Sequence, residues 1–513
     1  MKIVLYSAIV SCALLASHTL QAQYGTPPDA PASNTASPEA MARRLEKMSQ
    51  LLDATRRQLE QSQAEIDAMR QELNRLKQPL PQFPSQPSSQ PVTSQPVTAS
   101  SSSVADSVAQ QGEQQEILQA EIKQHEQIKL ESESKYPVKV YGLILFNAFS
   151  NAGLVDNPDL PTVAFARNPG VSHGSVGASI RQTILGIRAT GPHLWGADTA
   201  ANISTDFFSG LTYSFYGNST GNFRLRTADA SLTWKKDEVH LGVDAPLISP
   251  LSPTSYATLG IPGLAWAGNL WTWAPQIRYQ HRFSLSESSA LQAEGGLLDP
   301  SVLGIEESSS YRELSAGELS RRPSVEGRLS YHRTLFGREL AVGGGGHRGR
   351  DSFSNNFKIS TWAATADWQM PITRRVQLDG EFYRGRGLGS LGGGAYKDVV
   401  YGTDRVTGQY RALGLNALGG WAQFKLHLTS TIETNFAFGT DQAYAHEMRQ
   451  LVLNTTNYPL ESTARTQMVV GNLIYRPKTY LIFSPEYRRI ANWQITGPAP
   501  TANIFTLSAG YQF

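Results

Sequence analysis

The stretch Gln276-Ile277-Arg278-Tyr279-Gln280-His281-Arg282-Phe283 alternates residue by residue. Gln276, Arg278, Gln280 and Arg282 fall on one side, and Ile277, Tyr279 and Phe283 supply most of the other. Period two puts these two sets on opposite faces of a β-strand. Ser324–Arg333 repeats the pattern, with Val325, Gly327, Leu329 and Tyr331 set against Glu326, Arg328, Ser330 and His332. Val376–Tyr383 does the same, and the chain closes with Phe505, Leu507, Ala509, Tyr511 and Phe513 against Thr506, Ser508, Gly510 and Gln512. A soluble sandwich and a membrane barrel both show this alternation.

The connections separate the two. Strands read near 138–149, 180–190, 197–208, 222–234, 238–244, 274–284, 289–298, 324–333, 339–347, 358–370, 374–385, 417–429, 431–439, 466–476, 479–488 and 502–513. That makes about 16, an even number, most of them near the roughly 9–11 residues that a tilted membrane strand needs. Links after even strands are short, such as Lys235–Asp237, Ser430 and Pro477-Lys478. Links after odd strands are mostly long and rich in Gly, Pro, Ser and Asn, as in 151–178, 245–273, 386–416 and 440–465. Short turns at one end and long loops at the other mark an outer-membrane barrel. Phe149, Phe208, Trp234, Phe283, Trp368, Trp421, Tyr480 and Tyr487 recur near strand ends, as interfacial girdles do. The fold class expected is an all-β transmembrane barrel of antiparallel strands over residues 136–513.

Upstream the texture differs. Residues 1–22 read as a secretory signal: Lys2, an apolar run from Ile3 to Ala16, and Ala22 as the cleavage residue. The run Ile9-Val10-Ser11-Cys12 is a competing, lipoprotein-like spelling. Cleavage after Ala22 removes the chain's single cysteine, leaving no disulfide and no thiolate metal site. Over 38–77, Leu45, Leu52, Leu59, Ile66 and Leu73 hold one heptad position, and Met41, Met48, Thr55, Ser62, Met69 and Leu76 the other. This is a coiled-coil seam, and it implies self-association. Residues 78–135 form a Pro-, Ser- and Gln-rich solvated linker, with a short helical patch near Ile117–Leu130. Beyond the signal, no run approaches the roughly 20 apolar residues of a spanning helix.

The formal net charge of +2 hides an asymmetry: residues 136–513 carry 33 Lys and Arg, 26 of them Arg, against 28 Asp and Glu. Arg suits carboxylate and phosphate partners, although a salt-bridged barrel interior shows the same bias. Face parity directs Arg278, Arg282, Arg328, Arg375, Lys425, His427 and Arg488 into the lumen, with Asp198, Asp206, Glu326, Asp379 and Glu381. Arg224 and Arg226 share parity with apolar Ala228, Ala230 and Leu232, so a rim or a bulge must explain them. The Pro-rich, nearly uncharged link Ala245–Thr272 carries Tyr256, Trp266, Asn269 and Trp271. It suits a loop folded inward to narrow the lumen, and equally one packed between barrels or over the rim.

Enzymatic spellings are weak. Gly170-Val171-Ser172-His173-Gly174 lacks the strand–turn–helix setting of a nucleophile elbow. His446-Glu447 lacks the second His of a zincin, and no P-loop or dinucleotide fingerprint occurs. No catalytic, metal or cofactor site is expected, and no nucleic-acid partner.

The heptad segment ahead of the barrel, Val138-Lys139-Val140-Tyr141-Gly142, Arg181-Gln182-Thr183-Ile184-Leu185-Gly186, Asp206-Phe207-Phe208, Phe223-Arg224-Leu225-Arg226 and Ala274-Pro275-Gln276-Ile277-Arg278-Tyr279 together resemble the DcaP-like trimeric porins. The detailed resemblance covers the first half of the barrel. It implies a homotrimer in the outer membrane, a periplasmic coiled coil, and passive diffusion of small anionic solutes, dicarboxylates included. A different class of function stays open: a structural anchor whose coiled coil ties the membrane to the cell wall or a periplasmic partner.

Overall fold

The computed structural model describes residues 136–513 apart from 168–169, 171, 211–220, 300–313, 354–356, 454–458 and 498. The signal, coiled coil and linker of residues 1–135 lie outside the described residues.

Sixteen antiparallel staves close on themselves. They are β1 Val138–Ala152, β2 in two pieces (Gly174–Ser179 and Ile184–Thr190), β3 Asp198–Asp206, β4 Arg224–Thr233, β5 Asp237–Asp244, β6 Ala274–Ser284, β7 Ser289–Leu298 and β8 Ser324–Leu335. The second half runs β9 Arg338–Ser352, β10 Lys358–Pro371, β11 Val376–Arg386, β12 Asn416–His427, β13 Ile432–Ala443, β14 Thr463–Lys478, β15 Leu481–Gln494 and β16 Thr501–Gln512. Closure is the pairing of β1 with β16, from Leu143 opposite Gln512 to Ala152 opposite Asn503. A closed ring leaves no unpaired strand edge, so every stave satisfies its backbone inside the sheet.

Burial is inverted relative to a soluble protein. On β8, Ser324, Glu326, Arg328 and Ser330 are buried, while Val325, Gly327 and Leu329 between them are exposed. The polar face points into the barrel and the apolar face outward, as a lipid-facing wall requires. One girdle expectation fails at Trp421 and at Phe208. Trp421 sits on the inward parity of β12 and its Nε1 donates to Glu381 at 3.2 Å, while Phe208 is buried under the Arg181 guanidinium. Phe283 and Tyr480 are exposed, as expected.

The ends differ as the sequence suggests. Even staves are followed by links as short as 336–337 and 479–480, and odd staves by loops as long as 245–273 and 387–415. The links 353–357 and 495–500 are the compact exceptions on the long-loop end. Beyond the staves, Val399–Asp404 pairs with Tyr410–Gly414 and with Leu451–Leu453 in a separate small sheet.

Candidate functional site

The interior is crossed by the loop 245–273, held by polar groups from many staves. Glu326 of β8 accepts from Ile248 N, and Thr365 of β10 donates to Ile248 O. Glu381 of β11 accepts from Ser249 Oγ at 2.5 Å and from Leu251 N at 2.8 Å. Gln423 of β12 bonds both backbone groups of Thr254, and Glu486 of β15 accepts from Ser255 Oγ. Gln182, in the break of β2, accepts from Leu259 N and Gly260 N and donates to Ala257 O. A loop buried against a wall must find partners for its backbone polar groups, and these side chains supply them.

Two glycines make room. The inward side of β9 carries Gly343 and Gly345, inside the run Gly343–Gly346. A Cβ at Gly345 would stand 3.0 Å from Ile248 Cγ2, and one at Gly343 would stand 2.7 Å from both Arg328 Nη2 and Asp367 Oδ2.

Two further loops enter from the same end. Arg181 pairs with Asp159 of the loop 153–173 at 3.0 Å, and Arg488 Nη1 donates to Pro161 O at 3.2 Å. Tyr396 of the loop 387–415 donates to Thr162 O at 3.2 Å and stacks on Trp266 at 5.5 Å. Trp271 N donates to Leu391 O at 3.0 Å. In this loop Lys397 Nζ donates to three carbonyls, of Ala395, Leu460 and Thr463, and burial pushes its ammonium down to about 8.

The sequence-predicted charges separate into three groups. Arg328, Asp206, Glu326, Asp379, Glu381 and Arg488 are buried within the barrel. Arg328 holds Asp367 and Glu294, Lys425 holds Asp379 at 2.8 Å, and Glu326 holds His347 at 3.0 Å. Arg278 is partly open and 2.9 Å from Asp244. The remaining four lie at the short-turn end: His427 is 3.4 Å from Glu433 at the end of β12, and the other three are open to solvent. Arg375 lies in the turn before Val376, exposed, because parity was carried past the end of the stave. Asp198 opens β3 with its side chain 82% exposed, beside His193, at the short-turn rim. Arg282 keeps inward parity but is exposed near the end of β6. In the loop, Asn269 and Trp271 are buried, Tyr256 accepts from Arg476, and Trp266 packs edge-on against Trp271.

Arg224 and Arg226 are explained by a bulge. Ser204 faces Thr227 and Thr205 faces Leu225, which leaves Arg226 as the extra residue. The bulge resets parity, so both guanidinium groups reach Asp206, at 2.6 and 3.6 Å. Asp367 and Asp441 were missed, although each shares inward parity with its neighbours. Asp159 was not recoverable, since it sits on a loop without period.

Both halves of the wall carry both signs: Arg224, Arg226 and Arg278 on β4 and β6 pair with Asp206 and Asp244 on β3 and β5, and Arg328 and Lys425 pair with acids of β7–β13. The acids are the more numerous on β7–β13, with Glu294, Glu326, Asp367, Asp379, Glu381 and Asp441.

No family model matches this chain, and no curated protein matches it in sequence. Solved structures do match. The outer membrane channel DcaP of Acinetobacter baumannii is 17% identical with a TM-score of 0.54, over 74% of this chain and 99% of that one. An anion-selective porin from Comamonas acidovorans is 10% identical at 0.47, over 74% and 100%. Salmonella typhi OmpF in complex with daunomycin is 11% identical at 0.44, over 74% and 98%. The chain therefore has the closed-barrel fold of the DcaP outer membrane channel.

Proposed function

We propose that this chain is an outer-membrane porin, a passive diffusion channel for small, preferentially anionic solutes of the dicarboxylate kind. The long-loop end faces outward and residues 23–135 lie in the periplasm, where the coiled coil joins copies into a homotrimer. The observation that supports this most is the inverted barrel wall: apolar outside, and inside a charged surface on which Arg224 and Arg278 remain partly open. A guanidinium there can take a carboxylate in bidentate fashion. The pore-lining residues proposed are Arg278, Arg328, Lys425, Arg488, Asp206, Glu326, Asp379 and Glu381, with Arg282, Arg375 and Asp198 at the short-turn mouth. Tyr256, Trp266, Asn269 and Trp271 belong to the constriction.

Three loops folded into one barrel support a second reading, an anchor whose lumen is too occluded to conduct. Single-channel conductance in planar bilayers, with reversal potentials across a salt gradient, separates the two. Defined conductance steps with anion preference are expected. Silence from a heat-stable, folded sample ends the porin reading and leaves the anchor.

A further inference from the structure

The outward face of β9–β11 carries a concentration of positive charge at the long-loop end. Inward positions are fixed by burial: His347 and Asp351 on β9, Ile359, Thr361 and Ala363 on β10, and Glu381 and Tyr383 on β11. The alternate residues point outward, and these include Arg348, Arg350, Lys358, Arg384 and Arg386. Arg348, Arg350, Lys358 and Arg384 are exposed, whereas Arg386 is half-buried, its guanidinium beside Gly414 of the loop 387–415.

Register brings them together. Arg348 lies opposite Trp362, and Trp362 lies opposite Arg386 on its other side. Arg384 faces Ala364, Arg350 faces Ser360, and Lys358 faces Ser352. With staves about 4.8 Å apart and same-face neighbours about 6.8 Å apart along a stave, the five cations fall within roughly 20 Å of one another. None forms an ion pair among the described residues, and the outward positions between them are Ser360, Trp362 and Ala364. Toward the middle of the wall the same face turns apolar, with Leu329, Val342, Phe382 and Phe424 exposed.

Four exposed like charges held close, with no ion pair among the described residues, repel one another, and a lipid-facing Arg or Lys is far costlier at the bilayer midplane than near the interface. Their place is therefore the headgroup layer, and among the described residues nothing supplies their counter-charge. Arg forks match phosphate oxygens in pairs, and the apolar belt beside them accepts acyl chains. We propose that this patch binds the phosphorylated headgroup of an outer-leaflet glycolipid, with Trp362 at its centre. The inference rests on the orientation proposed above, but its test does not depend on conduction.

Full-length protein in mild detergent is titrated with bis-phosphorylated lipid A and with its monophosphoryl form, and bound lipid is counted by native mass spectrometry. The bis-phosphorylated lipid should bind at least several-fold more tightly, and the triple substitution R348Q/R350Q/R384Q should weaken it at least tenfold. Heat stability of the barrel and its oligomer mass should be unchanged in the variant. Equal binding by variant and parent overturns the proposal. So does full displacement by millimolar inorganic phosphate, which would mark a free-anion site. A smaller oligomer in the variant also overturns it, since the patch would then be a contact between copies.

Discussion

Ser249 on the inward loop and Glu381 on β11 are 132 residues apart in sequence and joined by a hydrogen bond of 2.5 Å from hydroxyl to carboxylate. The same carboxylate takes Leu251 N and Trp421 Nε1. A hydrogen bond of this kind contributes about 0.5–1.5 kcal/mol, and a donor left buried without a partner costs about 1–3 kcal/mol. Glu381→Ala should therefore release this section of the loop while the closed ring of staves stays folded. Planar-bilayer recordings should show larger and noisier conductance steps, with Glu381→Gln in between. Unchanged steps in Glu381→Ala would mean that this contact does not hold the constriction.

Gly343 offers a steric test of the same wall. A side chain there meets the Arg328–Asp367 pair at 2.7 Å, whereas one at outward Gly346 has Ala363 O no nearer than 3.6 Å. Overpacking of this kind costs about 1–3 kcal/mol. Gly343→Val should lower the temperature at which the barrel unfolds on a gel, and Gly346→Val should leave it in place. Equal behaviour of the two would refute the assigned faces.

Much of this fold was legible because a barrel wall repeats one rule. Alternation such as Gln276 to Phe283 locates a stave, and a short link such as Lys235–Asp237 against the long 245–273 assigns its ends. Each of the sixteen staves overlaps a stretch located by that rule, although the second starts at Gly174, inside the segment 151–178 that reads as a link, and is broken in two. What period two cannot carry was misread. The bulge at Arg226 shifts parity without any local sign in the sequence, Arg375 looks inward only if the stave is drawn one residue too long, and Trp421 resembles a girdle residue until its partner Glu381 is seen. The inward course of 153–173 and 387–415 rests on contacts between distant loops, as between Tyr396 and Thr162, which no local pattern encodes.

Lys397 gives the loop 387–415 a pH dependence. Its three partners are carbonyls, and burial brings its ammonium down to about 8 from an ordinary value near 10.4. Below about 8 the group is charged in both folded and unfolded states, and the full cost of burying it is present. Between about 8 and 10.4 only the unfolded chain keeps the proton, so the folded arrangement gains as pH rises. The gain is on the order of 3 kcal/mol at most. Amide exchange in 387–415 should slow, relative to a model peptide, from pH 7.5 to 9.5, and Lys397→Met should lose that trend. A trend surviving in Lys397→Met would assign it to another group, with Glu461 and Asp441 the acidic neighbours to examine.

The residues 23–111 should be dispensable for the barrel but not for assembly, because closure alone satisfies the staves while the seam from Met41 to Leu76 joins copies. Light scattering in mild detergent should give a trimer mass for the full chain, and the deletion should keep heat-resistant migration on a gel. A monomeric full chain would refute the role given to the seam.

Selectivity should divide unequally between Arg278 and Arg282. Both have the inward parity of β6 and lie about 13 Å apart along it. Arg278 is only 26% exposed and shares a 2.9 Å ion pair with Asp244, whereas Arg282 is open to solvent near the end of the stave. A charge in the less solvated section acts more strongly on a passing ion, because fewer waters screen it. Arg278→Gln should lower the anion-to-cation permeability ratio in dilute salt, and Arg282→Gln should lower it less. Asp244→Asn should raise it, by leaving the Arg278 charge uncompensated. All three effects should fade at 1 M salt, where the Debye length is about 3 Å against about 10 Å at 0.1 M. Reversal potentials across a tenfold salt gradient report the ratio directly. If Arg278→Gln keeps the parent ratio in dilute salt while Asp244→Asn also leaves it unmoved, this ion pair lies off the permeation path, and the wall that selects must be sought at Arg224, Arg226 and Asp206.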